Sequence, residues 1–355
     1  MIPFLLDRLG DSAVLALGGL LIGIAFGALA QHSKFCLRAG VIEFAHGDLG
    51  PRIAIWALAF AAAVAATQAV IYSGYLDVTE ARQLSATGSI SGAIIGGLLF
   101  GIGMILARGC ASRLLVLSAT GNLRALVSGL ILTVVSQASL RGVLSPLREW
   151  LASLWTVAGG PSRNLLAQIN AGPRTGLLLG LVWLGVGIWL ARRNRVGRSE
   201  ALAAVGVGAT VAAGWALTYA LSQMTFEAGK ITSVSFTGPS ADTLMGLINS
   251  RSVPLGFDIG LVPGVFLGSM TAALLAREFK WQGFEGGTSM LRYFAGAGLM
   301  GFGGMLAGGC AVGAGVTGSA IFAITGWVAL TAMWIGAAAT DYLVDRTPAP
   351  QASPK

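Results

Sequence analysis

Nine stretches of this chain are apolar and long enough to cross a bilayer, at about 13–30, 53–72, 90–107, 123–136, 176–191, 201–221, 259–276, 291–307 and 320–339. Lipid offers no water to satisfy backbone N–H and C=O groups, so such runs must be helices. Only 11% of the 355 residues are charged, against about 25% in a soluble domain. The fold class is therefore an all-α polytopic membrane protein. The 52 glycines agree, because closely packed membrane helices favour small residues at their contacts. A net charge of +8 does not point to nucleic acid. The arginines cluster at the ends of the apolar runs, where they set topology and meet anionic headgroups.

Two of these runs end in nearly the same phrase. GGLLFGIGMILARGC closes at Cys110 and GAGLMGFGGMLAGGC closes at Cys310, 200 positions later, with eight of fifteen positions identical. Both runs are short and stop at a glycine–cysteine turn, after which a brief apolar piece precedes the next run. That pattern suggests re-entrant half-helices broken inside the membrane. Spans one to four resemble spans six to nine, with span five as connector. A shift of five spans is odd, so the second half is expected upside down relative to the first, as an inverted-topology repeat. The expected divisions are a first repeat over 1–140, a connector over 141–200, a second repeat over 201–343 and a disordered tail over 344–355. The same offset sets Ser33 against Ser233 and Cys36 against Phe236, and Pro239 suits the first turn of a helix. In the connector, Leu147, Trp150, Leu151, Leu154 and Trp155 share one helical face, as in a helix lying in the headgroup layer.

Placing the basic cluster RRNRVGR (192–198) in the cytoplasm puts the N-terminus outside and the C-terminus inside, with most of the 23 Lys and Arg on cytoplasmic segments. The N-terminal run has no basic leader or cleavage signal and reads as a retained helix.

Cys36, Cys110 and Cys310 are the only cysteines, and each sits at an expected break. The N–H groups left unpaired at the next helix N-terminus, with the helix dipole, attract anions. Two breaks of opposite orientation would bring their loops face to face and leave a narrow path for a small anion, flanked by thiols. Neutral thiols are weak, polarisable partners. They suit shallow, serial binding better than a ring of arginines does. The bland alternative is a buried cysteine acting as an inert small hydrophobe. Lys34, Arg38, Arg108 and Arg113 flank the thiols and could draw an anion in, or they anchor helix ends at the membrane surface. Arg108 has Gly308 as its counterpart, so that charge belongs to one mouth only. His32 and His46 read as surface histidines, and Glu43, Asp48, Glu227 and Asp258 as solvated residues near span ends.

No metal site is expected from three unpaired cysteines and two histidines. Cofactor motifs are lacking too. GFEGGTSM (283–290) has no P-loop lysine, and Gly101-x-Gly103 lies in a membrane helix rather than a strand–turn–helix unit.

HSKFCLRAG around Cys36, GMILARGCASR around Cys110 and GGMLAGGCAVGAGVTG around Cys310 resemble the YeeE/YedE family of bacterial inner-membrane sulfur-compound transporters, over about residues 13–343. The resemblance implies thiosulfate uptake through an hourglass-shaped protein, with Cys36, Cys110 and Cys310 along the constricted path. It implies passage by transient S–H hydrogen bonds without ATP. It also raises a separate TusA-like sulfur-carrier protein as a partner. Alternatives are a transporter of another sulfur or selenium species and, in a different class, a membrane thiol–disulfide oxidoreductase. The latter would need paired redox-active cysteines, whereas these are spaced singly in the sequence.

Overall fold

A computed structural model describes residue 8 and residues 10–224, 230–249, 255–283 and 287–345. The main helices are α1 (Asp11–Ser33), α2 (Leu37–Ala45), α3 (Pro51–Tyr72), α4 (Ile90–Leu106), α5 (Ala111–Ala119), α6 (Leu123–Arg141), α7 (Ser145–Ser153), α8 (Pro173–Arg193), α9 (Arg198–Ser222), α10 (Thr237–Asn249), α11 (Phe257–Leu275), α12 (Gly287–Leu306) and α13 (Ile324–Thr340). The only strand pairing among the described residues joins Gly88–Ser89 to Thr156–Val157. Nine helical segments among these residues are long and apolar enough to span a membrane, as the sequence leads one to expect. The chain is an all-α polytopic membrane protein.

The ninth span departs from expectation. It begins at Ile324 rather than near residue 320, because Ala311–Gly318 winds as a π-helix. Phe322 then takes a left-handed φ of 56° that separates the π-helix from α13. The stretch AVGAGVTG has three glycines in eight residues, which leaves its backbone free to bring both the Ala314 and Gly315 N–H groups to the Cys310 carbonyl, at 2.8 and 3.3 Å. The expected disordered tail and Glu227 lie outside the described residues, apart from 344 and 345. On α7, Leu147 and Trp150 are exposed, as are Leu154 and Trp155 just beyond it, the pattern of a helix lying at an apolar interface.

Glycines set the closest helix contacts. A β-carbon on Gly303 would lie 2.7 Å from the Gly96 carbonyl oxygen, and one on Gly296 would lie 2.7 Å from that of Gly103. Helices α4 and α12 therefore run antiparallel with their backbones touching. The contact is reciprocal: exchanging each residue for its partner 200 positions away reproduces the same pairs. A second glycine ladder joins α1 and α11. Gly23 and Gly27 on one helix, and Gly264 and Gly268 on the other, leave no room for a β-carbon against the facing backbone. This is small-xxx-small packing between membrane helices.

The three helices that precede the cysteines end in one kind of turn, which also closes α8 and α11. After α1, Phe35 N–H donates to Ala30 C=O at 3.2 Å and Lys34 is left-handed (φ 55°). After α4, Gly109 donates to Met104 at 3.1 Å and Arg108 has φ 55°. After α12, Gly309 donates to Gly304 at 2.8 Å and Gly308 has φ 82°. Each is a Schellman-type stop, and its left-handed position is ordinarily glycine. Lys34 and Arg108 carry about 1–2 kcal/mol of backbone cost there that Gly308 does not. Gly308→Ala is therefore expected to destabilise the detergent-solubilised protein by about 1 kcal/mol, read as a lower unfolding temperature. Arg108→Gly should not lower it.

Candidate functional site

In the turns after α1, α4 and α12 a cysteine follows two residues after the left-handed position. Cys36, Cys110 and Cys310 adopt extended backbone and form the N-caps of α2, α5 and the π-helix. An N-cap faces N–H groups that lack intrahelical partners. Cys310 meets one of them directly, its Sγ accepting from Gly313 N–H at 3.4 Å. The Cys110 Sγ instead lies 3.3 Å from the Ser112 hydroxyl. All three thiols are free; Cys110 and Cys310 are buried and Cys36 is partly open. Cys36 and Cys110, 74 residues apart in sequence, are neighbours across the two breaks.

The antiparallel α4–α12 pair sets Cys110 and Cys310 at its opposite ends. The helices that follow the two breaks, α5 and the π-helix, touch one another. The fourth element of this kind carries no thiol. Phe236 stands where symmetry would place a cysteine, ahead of α10, and packs on Phe26 with ring centroids 5.1 Å apart. The chain leading into α10 is pinned by buried hydroxyls. Ser233 donates to Val211 C=O and Thr317 donates to Val234 C=O, both at 2.6 Å.

The Cys36–Cys110 end carries all four basic residues expected there. Arg113 and Arg38 are charged side chains beside Cys36. Arg113 donates to the Gln31 side-chain oxygen at 3.4 Å, and Gln31 donates to Glu278 at 2.9 Å. Glu278 also faces Lys34 at 3.9 Å. Asp345 holds Arg38 at 3.8 Å and Arg292 at 2.7 Å. Arg108 and Arg124 lie over the Tyr293 ring, 6.0 and 4.8 Å from its centroid. These side chains are thus oriented by Gln31, Glu278, Tyr293 and Asp345, none of which the sequence marked out. A buried glutamine at the end of an apolar helix was the one available signal.

The other end has its own basic wall, also unmarked in the sequence. A cavity of about 230 Å³ is bordered by Arg82, Arg148, Lys230, Ser235, Asp242, Asp258 and the glycines flanking Cys310. An adjoining cavity of about 260 Å³ shares Arg82 and Arg148 and adds Arg163. Arg163 bridges distant segments, donating to the Arg82 and Ala86 carbonyls at 3.2 and 2.7 Å and to the Thr325 hydroxyl at 2.7 Å. Burial, with the nearby Arg82 charge, pushes its guanidinium below the ordinary arginine value. These residues come from segments far apart in the chain, so no local motif announces them.

Three titratable residues behave differently from the surface roles expected of them. His46 lies 2.9 Å from the buried carboxylate of Asp341. Glu43 accepts from the Arg52 and Ile53 N–H groups at 2.8 and 2.9 Å and so caps α3. Asp258 has one carboxylate oxygen sealed from solvent without a hydrogen-bond partner. His32 is exposed, as expected.

A polytopic membrane protein with broken helices at the two ends of one antiparallel pair, basic side chains gathered beside one break and a basic-walled cavity beside the other, is built as a transporter of small solutes. Residues 32–339 match the sulphur-transport family, and the chain belongs to that family. The thiosulfate transporter TsuA of Escherichia coli is 26% identical over 349 residues, covering 92% of this chain and 94% of that protein. The thiosulfate transporter TsuA of Spirochaeta thermophila is 26% identical over 326 residues, covering 88% and 93%. The chain is a membrane transporter of sulfur compounds, not an enzyme.

Proposed function

We propose that the protein is an inner-membrane permease that takes up thiosulfate through a constriction lined by Cys36, Cys110 and Cys310. The observation that carries this reading is the pairing of Cys36 with Cys110 at two helix N-termini, beside Arg38 and Arg113. Helix N-termini and guanidinium groups draw the anion, and the thiols give it partners weak enough to leave. Each thiol offers an S–H to an oxygen or to the terminal sulfur of thiosulfate, then releases it to the next, with no nucleotide involved. The names of both TsuA relatives support the substrate. A TusA-like carrier that receives the product is the partner most consistent with sulfur uptake.

The reciprocal glycine contacts and the three matching turns support two inverted repeats, over 1–140 and 201–343, joined by a connector over 141–200. With the N-terminus outside, the Cys36–Cys110 end faces the cytoplasm and the Cys310 cavity faces out. A host lacking its other sulfur-uptake routes, given thiosulfate as sole sulfur source, should grow only when this protein is inserted in its membrane. Failure of the inserted protein to rescue growth would refute the substrate assignment.

Lys34, Arg38, Arg108 and Arg113 act in this scheme as the electrostatic ring of the inner mouth. Arg113→Gln should raise the KM for thiosulfate uptake about threefold to tenfold in low salt, with a smaller effect as salt screens the site. Unchanged KM at low salt would leave Arg113 a structural anchor of Gln31.

A further inference from the structure

We propose that thiosulfate capture in the outer cavity is linked to protonation of Asp258, so that the anion and a proton occupy the cavity together. This rests on the transport reading above. Asp258 lies in the first turn of α11 and borders the cavity beside Cys310. Its Oδ1 is sealed from water and has no hydrogen-bond partner. A charged carboxylate in that position is costly, and it serves no cap and no ion pair among the described residues. Structural carboxylates elsewhere in the protein are engaged: Glu43 caps α3, and Glu278 and Asp345 hold basic side chains.

The surroundings fit an anion–proton pair. Among the described residues, the charged groups facing Asp258 are Asp242 from α10, Lys230 from the chain before α10, and Arg82 from the segment after α3, with Arg148 of α7 on the same cavity wall. Helix α1 packs along α11 and has no ionisable side chain between Asp11 and His32. Arg113 of α5, the other helix on α11, is turned toward Gln31 at the opposite end. Gly238 and Pro239 bring the N-terminus of the 13-residue helix α10 to the same cavity. A dianion drawn by Lys230, Arg82, Arg148 and that helix N-terminus meets two carboxylates, Asp242 and Asp258. Ionised Asp258 repels it. A proton on Asp258 removes one repulsive charge and lets the cationic groups act on the anion alone. Linkage makes the effect reciprocal: the bound anion favours the proton as much as the proton favours the anion.

The test is the pH dependence of KM for radiolabelled thiosulfate uptake by the full chain in proteoliposomes. The same pH is set on both sides and the membrane potential is clamped at zero. For the unaltered protein KM should rise about fivefold or more between about pH 6 and about pH 8, while the maximal rate changes little. Asp258→Asn, which keeps the shape and removes the charge, should show a low KM that no longer varies with pH. Asp258→Glu should restore the variation. A pH-independent KM in the unaltered protein, or an Asp258→Asn variant with the unaltered profile, overturns the inference while leaving transport standing. Absence of uptake at every pH in the unaltered protein overturns the transport reading and this inference with it. If Asp258→Asn does not insert, the Asp258→Glu profile decides: a KM flat with pH overturns the linkage.

Discussion

Cys110→Ala should reduce thiosulfate uptake by at least about tenfold while leaving the amount of folded, membrane-inserted protein unchanged. The side chain is buried, yet the deletion is small. Replacing a thiol by a methyl-sized group at a helix N-cap leaves the Cys110 backbone carbonyl still accepting from Leu114 N–H at 2.8 Å, so α5 retains its first turn. The loss is chemical. Cys110 lies beside a second thiol, Cys36, and 3.3 Å from the Ser112 hydroxyl. On the proposed thiol-lined path, removing it takes one partner from the anion, and one hydrogen bond of ordinary strength, about 1–1.5 kcal/mol, is roughly tenfold in rate. Cys110→Ser keeps a donor with a shorter reach and should fall between the two. Uptake measured against protein abundance in the membrane checks this. A fully active alanine variant would mean that thiosulfate crosses without the thiol.

The second large effect concerns the fold rather than the chemistry. Gly103→Leu should prevent recovery of a monodisperse protein in detergent. A β-carbon there runs into the Gly296 carbonyl oxygen, and the Met300 side chain blocks the alternative direction. Helices α4 and α12 would have to separate, dragging the Gly96–Gly303 contact with them. Overpacking against backbone costs more than yielding a flexible side chain, and more than about 3 kcal/mol is expected. Gly298→Leu is the control, because a β-carbon on Gly298 meets nothing within 4 Å. Equal size-exclusion profiles for the two variants would contradict the close-packed pairing.

The spans and the cysteine turns were legible in the sequence because both are local. An apolar run declares its own helix in lipid, and a glycine–cysteine phrase repeated 200 positions on declares a repeated turn. The left-handed residue was hidden in two of the three turns, since Lys34 and Arg108 stand where glycine is usual. What faces what was not legible. Nothing near Arg113 in sequence names Gln31, and nothing near Arg38 names Asp345. The basic wall of Arg82, Arg148, Arg163 and Lys230 is gathered from four separate segments, so it looked like scattered helix-end charges. Asp258 passed for a solvated terminus because its burial comes from the segments packed around α11. The π-helix was foreshadowed only by glycine content, which fits many irregular shapes. Gly23 and Gly27, like Gly264 and Gly268, stand four apart in the chain, but such spacing does not say which helix it meets.

Crystals grown with a selenium-substituted thiosulfate would locate the anion by its anomalous scattering. A peak within hydrogen-bonding distance of the Cys36 and Cys110 sulfurs is the result expected of a thiol-lined path between helix breaks. Full occupancy confined to sites out of reach of all three cysteines would contradict it.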